Sequence, residues 1–123
     1  MKINEAHLNC VLEAAQNKKA LDLLVLDLRD LEAFTDYFII CSGTSVPQIQ
    51  AIADEIEDQL KKVGKFPNHI EGYQQAQWIL MDYSDFVVHI FAPDTRSYYN
   101  VERLWRRAKE IVPSNCSQEV TSP

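Results

Sequence analysis

The sequence predicts an α/β fold, a mixed β-sheet covered by helices, and three observations carry that prediction. Short apolar runs at 21–28, 37–41, 78–81 and 86–91 have the length of strands and are closed by polar or turn-forming residues. Between the second and third runs, Val46, Ile49, Ile52, Ala53, Ile56, Leu60 and Val63 recur at helical spacing. The order helix, strand, strand, helix, several strands and helix, with no internal repeat, then favours one sheet with helices packed on it.

Each element has its own signal. Residues 3–17 place Ile3, His7, Cys10, Val11, Ala14 and Ala15 near one helical face. LDLLVLDL at 21–28 is strand-like, with Asp22 and Asp27 interrupting an otherwise apolar run. A polar turn at 30–36 leads to Tyr37-Phe38-Ile39-Ile40-Cys41, a second and central strand that ends at Ser42-Gly43-Thr44-Ser45. Ser45 and Gln48 have the spacing of a capping box, Pro47 suits a first helical turn, and Gly64 suits a left-handed stop. Residues 65–76 form a polar connection with a short strand around His69 to Glu71. Strands at Trp78–Met81 and Phe86–Phe91 flank a tight antiparallel turn of small and acidic residues, Asp82 to Asp85. Pro93 ends the second of them, and Asp94 is expected to cap a helix from about Thr95 to Val112. The domain therefore spans 1–112, and residues 113–123, with little apolar surface, are expected to be a mobile tail.

Length and composition narrow the function. A chain of 123 residues builds one hydrophobic core. Twelve Lys and Arg against 18 Asp and Glu give a formal charge of −6, which favours a basic partner over the bare phosphates of a nucleic acid. No span approaches the length of a membrane helix and residues 1–20 lack a signal or transit pattern, so a cytoplasmic protein is expected. Three widely spaced cysteines, Cys10, Cys41 and Cys116, argue against a disulfide framework or thiolate metal site.

Catalytic patterns are thin. Gly43-Thr44-Ser45 sits where a strand meets a helix, a place that can bind phosphate, but no complete nucleotide-binding loop surrounds it, and a turn with a helix cap is the simpler reading. The carboxylates that follow, Asp54, Glu55, Glu57 and Asp58, lie on the helix, and no Asp-x-Asp occurs on the next strand to hold magnesium. Asp82 and Asp85 suit a solvated hairpin end. His7, His69 and His89 lack metal-ligand spacing, and Cys41 in YFIIC has the setting of a small buried hydrophobe. No cofactor is expected. The segment 95–112, with Arg96, Arg103, Arg106, Arg107 and Lys109 around Tyr98, Tyr99 and Trp105, is a better candidate for protein recognition.

The segments ALDLLVLDLRDL, TDYFIICSGTSVPQIQAIADEIEDQL and EGYQQAQWILMDYSDFVVHIFAPDTRSYYNVERLW closely resemble the ribosomal silencing factor family, also called Iojap-related. The resemblance spans residues 20 to 107. It implies an α/β topology related to nucleotidyltransferases without their catalytic carboxylates, and a protein that binds rather than catalyses. It further implies association with the large ribosomal subunit through its protein fourteen, with ribosomal RNA adjacent, so that joining of the small subunit is sterically blocked and translation falls. Homodimers also occur in such a family. Carried over on matching positions, Trp78, Asp82, Tyr83, His89, Arg96, Tyr99, Glu102 and Trp105 form the interface and its support, with Trp78 and Trp105 mainly shaping it. Two departures stand out: Ser84 replaces a usual Gly at the strand turn, and Val101 a usual Leu. The competing readings are a nucleotide-transfer enzyme with an unusual site near Ser42 to Ser45 and a dimeric protein-binding adaptor.

Overall fold

The computed structural model describes residues 5–29, 35–94 and 109–111. Within them two helices, α1 (Glu5–Asn17) and α2 (Val46–Lys62), accompany six strands: β1 (Leu21–Asp27), β2 (Tyr37–Ser42), β3 (His69–Glu71), β4 (Trp78–Asp82), β5 (Phe86–Phe91) and β6 (Lys109–Ile111). The strands form one sheet in the order β3-β4-β5-β2-β1-β6, in which β2 and β5 are parallel and every other neighbouring pair is antiparallel. The expected mixed sheet with helices is therefore present, and β2 and β5, buried along their whole length, sit at its centre.

The pleat divides the side chains. Ile39, Cys41, Ile79, Met81, Tyr83, Phe86, Val88 and Ile90 point toward α1 and α2 and join Val11, Ala14, Ala15, Ile49, Ile52, Ile56 and Leu60 in one dry cluster. Each large aliphatic chain there contributes about 2 kcal/mol by leaving water. Leu26, Leu28, Phe38, Ile40, Val87 and Phe91 form a second cluster on the opposite face, with Leu24, Trp78 and Leu80 packed at its margin.

α2 is bounded as its sequence predicts. Ser45 is extended, and its side chain accepts a hydrogen bond from the Gln48 amide at 3.2 Å. At the other end Gly64 takes φ +81°, and the amides of Gly64 and Lys65 donate to Lys61 and Leu60 carbonyls at 3.0 and 2.9 Å.

Two expectations at the C-terminal end need correction. Pro93 and Asp94 are already helical, so Pro93 opens this turn instead of merely stopping β5, and Asp94 is not a cap outside it. A proline fits the first turn because its missing N–H has no intrahelical acceptor there. Lys109–Ile111 is a strand paired antiparallel with β1, Val25 opposite Ile111 and Asp27 opposite Lys109, so no helix runs to Val112. Pairing along the outer edge of β1 overrides the helical preference of Lys and Glu. The rest of the expected last helix, and the tail from 113, lie outside the described residues.

Candidate partner-binding surface

The face of the sheet away from α1 and α2 grades from a closed centre to an open rim. Register places Val87, His89 and Phe91 of β5 beside Asp82, Leu80 and Trp78 of β4, and β3 adds His69 next to Asp82 and Glu71 next to Leu80. The β5 residues are buried, the three β4 residues are half-buried, and His69 and Glu71 are exposed. The outcome is an apolar strip, Trp78 and Leu80, bordered by Asp82, Glu71 and His69.

Trp78 is held by the centre. Its indole Nε1–H donates to Nδ1 of His89 at 3.0 Å, and its ring lies 5.1 Å from that of Phe91. This bond makes Nδ1 the acceptor and leaves the His89 proton on Nε2, which is buried with no hydrogen-bond partner among the described residues. Phe38 meets the same imidazole edge-on at 4.4 Å. His89 is only 3% exposed, and burial pushes its pKa down to about 4, so it is neutral at physiological pH. His89 is thus a buried sheet-face side chain whose ring accepts a hydrogen bond from Trp78. It supports the surface from beneath.

The rim is fixed by the turns on either side. Gly72 has φ +81°, and a Cβ there would fall 2.2 Å from the Trp78 carbonyl oxygen, so only glycine lets the loop after β3 cross this close to β4. That loop is tied to α2 by Gln50 Nε2, which donates to the Tyr73 carbonyl at 2.8 Å, and by the Tyr73 hydroxyl, which donates to Asp54 at 3.1 Å. At the opposite end of β4, Ser84 has φ +72°, in the left-handed region that favours glycine. The serine is retained by a web of bonds. Its amide donates to Asp82 Oδ1 at 2.8 Å, its carbonyl accepts from Thr35 Oγ1 at 2.8 Å, and its hydroxyl accepts from Asn68. Asp82 thereby has one oxygen in the turn, while the other lies 3.7 Å from His69 Nδ1. His69 Nε2 stands 3.3 Å from Glu71.

Of the predicted site residues, the structure brings Trp78, Asp82 and His89 together on this face. Tyr83 is placed elsewhere: it is 1% exposed, stacks on Phe86 at 5.0 Å between rings, and faces the helices, so it cannot be a surface contact. Its position after Ile79 and Met81 in the strand alternation carries it to that side. Arg96, Tyr99, Glu102 and Trp105 lie outside the described residues. Leu80, Glu71 and His69 join the surface without having been singled out. Their signal was the same alternation, extended from Trp78 through Leu80 to Asp82 and across the register to β3.

The alternative phosphate site is filled from within the chain. Gln48 Oε1 accepts from both the Thr44 amide and the Thr44 hydroxyl, at 2.7 and 3.0 Å, and Gln48 Nε2 donates to the Lys18 and Lys19 carbonyls. Gly43 is tight against the same side chains, a Cβ there lying 2.8 Å from Ile49 and 3.2 Å from Gln48 Oε1. The turn acts as a variant capping box that also fastens α2 to the end of α1.

Comparison with known proteins agrees with this architecture. Residues 2–123 match the family described as ribosomal silencing factor during starvation. The chain is 48% identical over 92 residues to ribosomal silencing factor RsfS of Bacillus subtilis, covering 75% of this chain and 78% of that protein. It is 39% identical over 108 residues to the protein of the same name from Halalkalibacterium halodurans, covering 88% and 92%. A crystal structure of protein CV0518 from Chromobacterium violaceum superposes with a TM-score of 0.81 at 32% identity, over 86% of this chain and 88% of that one.

Proposed function

The chain belongs to the ribosomal silencing factor family, and from that premise we propose that it represses translation by binding the large ribosomal subunit and obstructing the small one. The contact is made to protein fourteen of the large subunit by the rim of Trp78, Leu80, Asp82 and Glu71. One observation carries this reading: a half-open apolar strip bordered by carboxylates, on a chain of net charge −6, suits a basic protein partner that offers an apolar patch. Trp78 gives the strip its shape, and His89 holds Trp78. Neighbouring ribosomal RNA, a second copy of the chain and a cytoplasmic site of action belong to the same proposal.

The relatives carry the name of a silencing factor, not of an enzyme, and the internal use of Thr44 and Gln48 gives the nucleotide-transfer alternative no support. Sedimentation with separated ribosomal subunits tests the binding reading. The native chain is expected to travel with the large subunit and to lower the joined fraction when the small subunit is added. Glu71→Lys, at an exposed position, is expected to weaken binding about tenfold, because reversing a rim charge sets like charges together. Unchanged binding and joining in that variant sink the proposed surface.

A further inference from the structure

The end of α2 and the loop that follows form a corner unlike the rest of the molecule. Residues 59–70, QLKKVGKFPNHI, contain no Asp or Glu, although the chain carries 18 of them. Lys61 and Lys62 are exposed here, with Lys65 beside them. Only four large hydrophobic side chains among the described residues are exposed, and two of them are in this segment, Val63 at 47% and Phe66 at 58%. Lysines at a helix C-terminus are explained by the dipole. Phe66, more than half exposed and close to Val63 in the chain, adds an aromatic surface that the dipole does not account for.

The nearby carboxylates do little to cancel the charge. Asp58 lies 3.5 Å from Lys62, but both groups are largely in water, where such a pair is weak. Asp85 engages Lys65 at 3.6 Å. No ion pair holds Lys61 among the described residues. The corner also leads straight into β3, so it adjoins the rim of Glu71 and His69.

We propose that this corner binds unpaired RNA, a base stacking on Phe66 while Lys61 and Lys62 neutralise flanking phosphates. The proposal rests on the ribosomal reading for the source of that RNA, and it adds the site on this chain. An aromatic face among lysines is the arrangement that single strands use, since every base offers a flat surface and every linkage a charge. An acidic peptide would engage the lysines and leave the ring without a partner. A membrane would need a wider apolar face than Val63 and Phe66 supply.

The test is fluorescence anisotropy of the full chain with a labelled oligoadenylate RNA of about twelve nucleotides, a length within the usual single-strand site size. Phe66→Ala is expected to weaken binding about tenfold. Lys61→Gln combined with Lys62→Gln is expected to flatten the plot of log affinity against log salt by about 1.4, the release from two single-strand phosphates. All three positions are exposed, so the variants keep the fold, and Lys18→Gln, at an exposed lysine near the other end of α2, is expected to bind RNA as the native chain does. The inference is overturned if the native chain does not bind, if neither variant changes binding, or if polyglutamate or anionic lipid vesicles displace the RNA at matched charge. The two proposals fail separately. A chain that binds RNA through Phe66 but sediments with neither subunit defeats only the ribosomal reading, and one that sediments with the large subunit but ignores RNA defeats only this site.

Discussion

The two faces of the sheet are made from alternate residues of the same strands, yet they solve different problems. Under α1 and α2, the inward residues of β2, β4 and β5 are almost all apolar and fully enclosed, and the helices bring matching Ile, Leu and Ala. On the other side the same strands supply Trp78, Leu80, Asp82 and His89, and burial falls away from β5 toward β3. A face built for stability closes evenly over its whole width. The face proposed for a partner keeps a rigid centre and leaves its margin open.

The comparison breaks most visibly if a residue is removed from the closed face. Ile52 is completely buried between α2 and the sheet, and Ile52→Ala is expected to cost about 4 kcal/mol in urea unfolding, from lost burial and the cavity left behind. Large-subunit binding by the fraction that remains folded is expected to be unchanged. Weakened binding by that folded fraction would mean that the closed face is not a scaffold alone.

Acid probes the opposite face through His89. Its folded pKa of about 4 lies below the ordinary value of 6.5, so between those values the unfolded chain holds more protons and stability rises with pH. The contribution is complete above about pH 6.5 and lost as pH falls through 4, for a total of about 3 kcal/mol. His89→Phe is expected to show a shallower fall than the native chain over that window. Equal slopes would place the proton uptake on other groups.

What could be read from the sequence followed how local each signal was. Ser45, Gln48, Pro47 and Gly64 bound α2 through contacts within a turn of themselves, and the alternation around Ile79 and Met81 is a property of any pleated strand. β6 was not legible because Lys109, Glu110 and Ile111 pair only with a strand more than 80 residues earlier. The bulge between Leu21 and Leu24, where Asp22 takes φ +51°, was hidden for a related reason: it arises in the pairing of β1 with Ser42. The candidate surface fell between these cases. Trp78, Asp82 and His89 came from family resemblance, but their common face, and the addition of Leu80, Glu71 and His69, required the register.

Tyr83 sharpens the contrast at the smallest scale, because resemblance counts it among the interface and its support and the structure places it on the closed face. Its hydroxyl is buried without a hydrogen-bond partner among the described residues, and burial raises its pKa further from the physiological range. Nothing among the described residues explains why the position keeps that oxygen. Tyr83→Phe removes a polar atom that lost its water on folding and left the ring's stacking on Phe86 in place. The variant is therefore expected to be more stable by about 0.5 kcal/mol, the desolvation relief being partly offset by the small void. Large-subunit binding is expected to match the native chain. Loss of binding at unchanged stability would return Tyr83 to the partner surface and require β4 to expose a side chain that now faces the helices.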